Sequence, residues 1–210
     1  MVRYDKSGVK VSHLENRRFN VKRFAVLVSG TGTLLEALKA ADLEISLVLA
    51  DRQCRGLEIA TKAGIPTALL ARTFKPDFDR ETYTSLVAMV LDGFEIDFVS
   101  MAGFMTILHP VIFLPHNNRC YEGRIINNHP SLLPLFKGEH AVRDALSSGA
   151  KVTGCTIHIA TKELDEGPIL AQEEVSVLPF DTEAILHERI KRVERRLLPT
   201  TIRKFAETLE

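Results

Sequence analysis

From Phe24 onward the chain alternates short apolar runs with stretches of helical spacing, and that alternation admits very few architectures. Phe24–Val28 is a continuous apolar run. Ser29-Gly30-Thr31-Gly32-Thr33 then turns the chain, and Leu34, Leu35, Ala37 and Leu38 follow at helical spacing. The unit recurs: Ile45–Ala50 precedes a helix around Leu57–Ala63, Thr67–Leu70 precedes a longer helix over about Asp79–Leu91, and Asp97–Met101 is a further strand. Strands buried on both faces and separated by helices predict an α/β fold, a mostly parallel sheet with helices on both faces.

The second half breaks this rhythm and predicts a mixed sheet. Arg124–Asn127 reads as another buried strand but runs into Asn127-Asn128-His129-Pro130-Ser131-Leu132-Leu133-Pro134, where the two prolines end strand and helix alike. After a helix over Ala141–Ser147, strand candidates Lys151–Ile159 and Ile169–Val177 flank the turn-rich Lys162–Pro168. A final amphipathic helix is expected from Thr182 to about Phe205, interrupted at Pro199.

A chain of 210 residues, 45% of them hydrophobic, can bury a full core, so 23–210 is expected to form one domain. Residues 1–22, with Arg3, Lys6, Lys10, Arg17, Arg18 and Lys22, read as a basic, flexible extension without the apolar core of a signal peptide. Lys plus Arg and Asp plus Glu both number 27, so there is no bulk pull toward nucleic acid or an anionic membrane, and neither is expected as a partner. Any bound anion must be held locally. The three cysteines, Cys54, Cys120 and Cys155, form no Cys-x-x-Cys pair, which argues against a disulfide framework and a zinc site. The histidines show no metal-ligand spacing, and no metal is expected. No stretch approaches the roughly 20 apolar residues of a membrane helix, so a cytoplasmic location is expected. Assembly is left open, with a homodimer allowed.

Between the first strand and helix, Ser29–Thr33 offers glycines for close backbone approach and free N–H groups for an anion, the composition of a phosphate turn. The match to a dinucleotide fingerprint is partial: Leu35 stands at the third glycine position, although Asp51 lies near the ribose-binding distance. His129 precedes Pro130 and is held extended, and Asn127 shares its direction if strand alternation persists. An amide and an imidazolium so placed suit an oxyanion. Taken singly these residues read as turn formers, and Asp165 in Leu-Asp-Glu-Gly-Pro reads as a solvated turn residue. The mixed-charge face of the last helix, Glu188 to Arg196 with Glu194 included, reads as solvated, and Met101 and Met105 read as core packing at a strand end.

In chain order, Ser29-Gly-Thr-Gly-Thr33, Ala102-Gly-Phe-Met-Thr-Ile-Leu108, Asn127-Asn-His-Pro-Ser-Leu-Leu-Pro134 and Glu163-Leu-Asp-Glu-Gly-Pro168 resemble the phosphoribosylglycinamide formyltransferase family over about residues 24 to 205. The resemblance implies a Rossmann-like formyltransferase fold. It also implies transfer of a formyl group from 10-formyltetrahydrofolate, a co-substrate, to the amine of 5-phosphoribosylglycinamide in purine biosynthesis. Asn127, His129 and Asp165 would be the catalytic trio, with Gly32, Thr33, Leu34, Lys191 and Glu194 on the phosphoribosyl substrate. Arg80, Met105, Thr106, Ile107, Leu108 and Asn127 would meet the folate. Leu34 stands where many relatives carry an asparagine that binds phosphate, and Thr106 replaces a frequent arginine. The segment His109–Glu122 looks longer than usual. Rival readings are a formyltetrahydrofolate hydrolase, which would need a regulatory domain before the first strand, and a formyltransferase acting on tRNA, which would need a basic carboxyl-terminal domain. From other classes come a nicotinamide-dependent oxidoreductase, which leaves Asn127–Pro134 unexplained, and a non-catalytic nucleotide-binding module.

Overall fold

The computed structural model describes residues 22–73, 75–116 and 119–209; the expected extension 1–22 lies outside them except for Lys22. Strands β1 (Phe24–Val28), β2 (Ile45–Ala50), β3 (Thr67–Leu69), β4 (Phe98–Met101), β5 (Ile125–His129), β6 (Val152–Ile159) and β7 (Ile169–Ser176) form one sheet in the order β3-β2-β1-β4-β5-β6-β7. The first five run parallel, whereas β5–β6 and β6–β7 pair antiparallel. The mixed sheet expected from the second half is therefore present.

Helices α1 (Thr33–Ala40), α2 (Arg55–Lys62), α3 (Arg80–Gly93), α4 (Ala141–Ser147) and α5 (Glu183–Thr208) cover the sheet. Because successive strand residues point to opposite faces, β1 splits its side chains between two cores. Phe24, Val26 and Val28 pack with α1, α2 and α5, while Ala25 and Leu27 pack with α3 and the 3-10 turn at Pro110–Phe113. At the start of α3 the Asp79 carboxylate accepts from the Thr82 N–H (3.0 Å), and at the start of α5 the Thr182 hydroxyl oxygen accepts from the Ile185 N–H (3.3 Å).

The expected break at Pro199 is absent, and α5 runs through it. An interior proline costs a helix about 3 kcal/mol. Opposing that, Leu186, Ile190, Leu198 and Ile202 are all buried from one stripe of α5, each worth roughly 1.5–3 kcal/mol. Packing outweighs the lost ladder bond.

Strand order reverses between β1 and β4, so the segments leaving them diverge and open a crevice at the carboxyl edge of the sheet. Ser29–Thr33 follows β1, Ala102–Leu108 follows β4, and Asn127–His129 closes β5. Parallel pairing alone thus delivers three of the singled-out motifs to one edge.

Candidate active site

The turn after β1 is shaped by Gly32, the N-cap of α1, which has φ 71°. A Cβ there would lie 2.9 Å from the Gly56 Cα, so α2 sits against the turn as closely as backbone allows. The Gly56 N–H donates to the Gly30 carbonyl (3.1 Å) and Arg55 Nη1 to the Thr31 carbonyl (3.1 Å), which fixes the turn from outside. Gly32 has no side chain to cap α1, leaving the first N–H groups facing the crevice edge for an anion. The Leu34 side chain is buried in the core beside Leu35 and Leu38, so only its backbone can serve a phosphate.

After β4, Phe104 and Thr106 turn inward while Met105 and Ile107 are 55% and 48% exposed. The core role expected for Met105 does not hold, because the segment leaves the strand with the opposite face outward; Met101, still on β4, does pack against the core. The segment is anchored to its neighbours. Ser29 N–H donates to the Gly103 carbonyl (3.1 Å), and the Met105 N–H donates to Ser29 Oγ (2.8 Å). Thr106 Oγ1 donates to Asp51 Oδ2 (2.6 Å) and accepts from Arg72 Nη1 (3.2 Å). Asp51, fully buried at the end of β2, is also gripped by Arg52 through Nε and Nη2, each at 2.9 Å. Burial alone would push its carboxyl up, but the hydrogen bonds from Arg52, Thr106 and Ser29 hold it below the usual carboxylate range. A carboxylate so enclosed offers nothing to the ribose of a dinucleotide.

The end of β5 gathers the polar side chains of the crevice. Asn127 and His129 lie on the same face as Ile125, and the antiparallel register sets Asn127 opposite His158 and His129 opposite Thr156. The following loop is stitched down by Thr156, whose Oγ1 donates to the Ser131 carbonyl (2.7 Å) and accepts from the Leu133 N–H (3.1 Å). Thus held, the Phe136 carbonyl accepts from His129 Nε2 at 2.7 Å.

Asp165 reaches this place because its loop folds back on β6. At Gly167 a Cβ would lie 1.7 Å from the Ile159 carbonyl oxygen, so only glycine lets the loop close. Asp165 itself has φ 55° and is 7% exposed; the solvated turn residue suggested by composition is in fact enclosed by histidines. Its Oδ2 lies 3.4 Å from His129 Nδ1 and accepts from the Gly138 N–H (2.8 Å), and its Oδ1 lies 3.6 Å from His158 Nε2. Burial pushes the Asp165 carboxyl up, but the adjoining His158 ring, the Gly138 N–H and His129 together bring it below the usual range. It is an acceptor at neutral pH.

Sequence reasoning passed over His158. Its Nδ1 donates to the Ile159 carbonyl (3.0 Å), leaving Nε2 to meet Asn127 Nδ2 at 3.2 Å. The signal was present in β6, where Thr156 and His158 alternate with buried Cys155, Ile157 and Ile159.

The remaining expected residues divide between the two faces. Lys191 and Glu194 lie on α5, on the same face as α1 and the Gly32 turn. Glu194 is 4% exposed rather than solvated, because Asn128, pointing away from His129, donates Nδ2 to its Oε1 (3.0 Å). Burial raises its carboxyl above the ordinary value, against the Asn128 hydrogen bond and the charges of Lys191 and Arg195. Arg80 opens α3 on the opposite face and is exposed; α3 reaches the end of the Met105–Leu108 segment where the His109 N–H donates to Thr84 Oγ1 (2.9 Å). Among the described residues no group of His, Cys, Asp and Glu has the makings of a metal site, and no helix is long and apolar enough to cross a membrane.

Comparison with known proteins adds an independent finding. A family model described as formyl transferase matches residues 22–202. A phosphoribosylglycinamide formyltransferase of Mycobacterium tuberculosis is 43% identical over 189 residues, covering 88% of this chain and 85% of the relative. The human trifunctional purine biosynthetic protein adenosine-3 is 38% identical over 209 residues, which is 96% of this chain but 20% of that protein. Among solved structures, a phosphoribosylglycinamide formyltransferase from Bacillus halodurans superposes with a TM-score of 0.81 at 38% identity, covering 90% of this chain and 97% of that one.

Proposed function

The chain belongs to the formyl transferase family, and from that premise we infer that it transfers the formyl group of 10-formyltetrahydrofolate to the amine of 5-phosphoribosylglycinamide, the formyl transfer of purine biosynthesis. The observation that carries the reading is the meeting of Asn127, His129 and Asp165 at one sheet edge, between a phosphate turn on one face and the Met105–Leu108 segment on the other. The residues assigned to the two substrates thus approach from opposite faces, and the chemistry lies where the faces meet.

The amine lone pair attacks the formyl carbon, the carbonyl electrons move onto oxygen, and the tetrahedral intermediate collapses with departure of tetrahydrofolate. No covalent bond to the enzyme is needed. Both nitrogens of His129 face acceptors, which suits the ring carrying two N–H groups; its Nδ1 hydrogen, loosely held at 3.4 Å from Asp165, is the one free to meet the oxyanion. Asn127 gives one amide hydrogen to His158 and keeps the second for the same oxygen. Asp165, ionised, steadies His129 and takes part in moving the amine proton to the departing folate nitrogen, directly or through water. Gly32, Thr33 and the Leu34 N–H receive the phosphate, Lys191 and Glu194 the phosphoribosyl group, and Arg80 with Met105–Leu108 the folate. The same reading sets the enzyme in the cytoplasm, where the free thiols of Cys54, Cys120 and Cys155 suit a reducing medium.

The test is tetrahydrofolate release by purified protein with and without phosphoribosylglycinamide. Release that depends on the acceptor is expected. Equal release without it would identify a hydrolase.

A further inference from the structure

Asp51 is a buried charge that the chemistry of formyl transfer does not use. It stands at the end of β2, two strands away from β4, yet its carboxylate takes hydrogen bonds from Thr106, Ser29 and Arg52. Two of those donors govern the segment after β4. Thr106 belongs to it, and Ser29 is the group on which the Met105 N–H rests. Arg72 adds a second tie, its backbone N–H on the Asp51 carbonyl (2.9 Å) and its guanidinium on Thr106 Oγ1. The inward turn of Thr106, 1% exposed, is what places Met105 and Ile107 outward on either side of it.

We propose that Asp51 is a positioning residue for the formyl folate: through Thr106 and Ser29 its carboxylate sets the height and angle at which Met105 and Ile107 present their side chains and backbone to the co-substrate. The proposal rests on the reading that Met105–Leu108 holds the folate. Buried as it is, Thr106 is too short to reach a ligand. Its side chain acts inward. Affinity for the folate therefore depends on an anchor that the ligand never touches, and the anchor works only while Thr106 has a hydroxyl.

Three variants test this with steady-state kinetics for both substrates. A hydrogen bond to a charged group is worth enough that Thr106→Val should raise the KM for 10-formyltetrahydrofolate about tenfold, with the KM for phosphoribosylglycinamide and kcat within about threefold of the parent. Thr106→Ser, which keeps the hydroxyl, should restore most of the loss. Ile107→Asp, which puts a charge on the exposed apolar face without touching Asp51, tests the underlying reading and should raise the same KM. If Ile107→Asp raises it and Thr106→Val leaves it unchanged, the positioning role is overturned while the folate segment stands. An unchanged KM in Ile107→Asp overturns the folate segment itself. Equal rises of both KM values in Thr106→Val, or no recovery in Thr106→Ser, mark a general structural role and also overturn the proposal. Should Thr106→Val not fold, Thr106→Ala is read by the same criteria.

Discussion

Two aspartates are buried at the same edge of the sheet, and they are satisfied in opposite ways. Asp51 is held through short bonds by a guanidinium and a hydroxyl, 2.9 Å to each Arg52 nitrogen and 2.6 Å to Thr106. None of those partners changes protonation near neutral pH. Asp165 keeps one short bond, from the Gly138 N–H, and otherwise faces two imidazoles at 3.4 and 3.6 Å. Histidine alone among the side chains titrates close to neutrality when unperturbed. A carboxylate enclosed by fixed donors can only hold geometry, whereas one enclosed by imidazoles at loose range can follow a proton. Both carboxyls lie below their ordinary value, so the direction of the shift does not separate the roles; the chemistry of the partners does.

The comparison breaks most visibly at Asp165. Asp165→Asn retains the shape and removes the charge, and kcat should fall by about 10²–10⁴ with little change in either KM, the signature of an interaction used in the transition state. A kcat within about threefold of the parent would remove Asp165 from the mechanism. The next largest effect is expected at His158. His158→Leu should lower kcat about tenfold, and His158→Gln, which keeps an amide near the Nε2 position, should recover most of it. Equal losses in the two variants would reduce His158 to a packing residue.

The smallest effect concerns acid stability. The depressed carboxyl of Asp51 contributes stability that is fully present above its unfolded value, near 3.8, and is lost as pH falls through the lower folded value. Wild type should therefore lose thermal stability as pH drops below roughly 4, and Asp51→Asn, less stable at neutrality, should lose less over that window. Thermal melts at a series of pH values measure this. Parallel curves for the two proteins would show that Asp51 is not held as a charge.

Much of this arrangement could be read from the chain because local physics dictated it. The continuous apolar run Phe24–Val28, the glycines of the Ser29–Thr33 turn and the double proline after His129 each fix the backbone without help from distant residues. The elements that escaped reading depend on partners remote in sequence. Glu194 looks solvated in a helix full of charge until Asn128, 66 residues earlier, is brought beneath it. Pro199 looks like a helix breaker until the buried stripe of α5 is set against its cost. His158 was one histidine among seven, and only the pairing of β6 with β5 places it opposite Asn127. Asp51 failed in a different way. Its spacing from the glycine turn fitted a dinucleotide site, and nothing local revealed that Thr106 would close over it.

The adjacent asparagines of β5 make the enzyme unusually sensitive to one kind of genetic change. Asn127 faces His158 and Asn128 faces Glu194 on α5, so the two amides serve opposite faces of the sheet from the same strand. Insertion or deletion of a single residue in β5 would exchange their sides and carry His129 with them, since a one-residue slip reverses every side chain of a strand. Substitutions here can weaken activity by degrees. Length changes cannot, because the strand works as a parity code in which only shifts by two keep each amide on its own face, and evolution of this segment must therefore proceed by replacement within a fixed length.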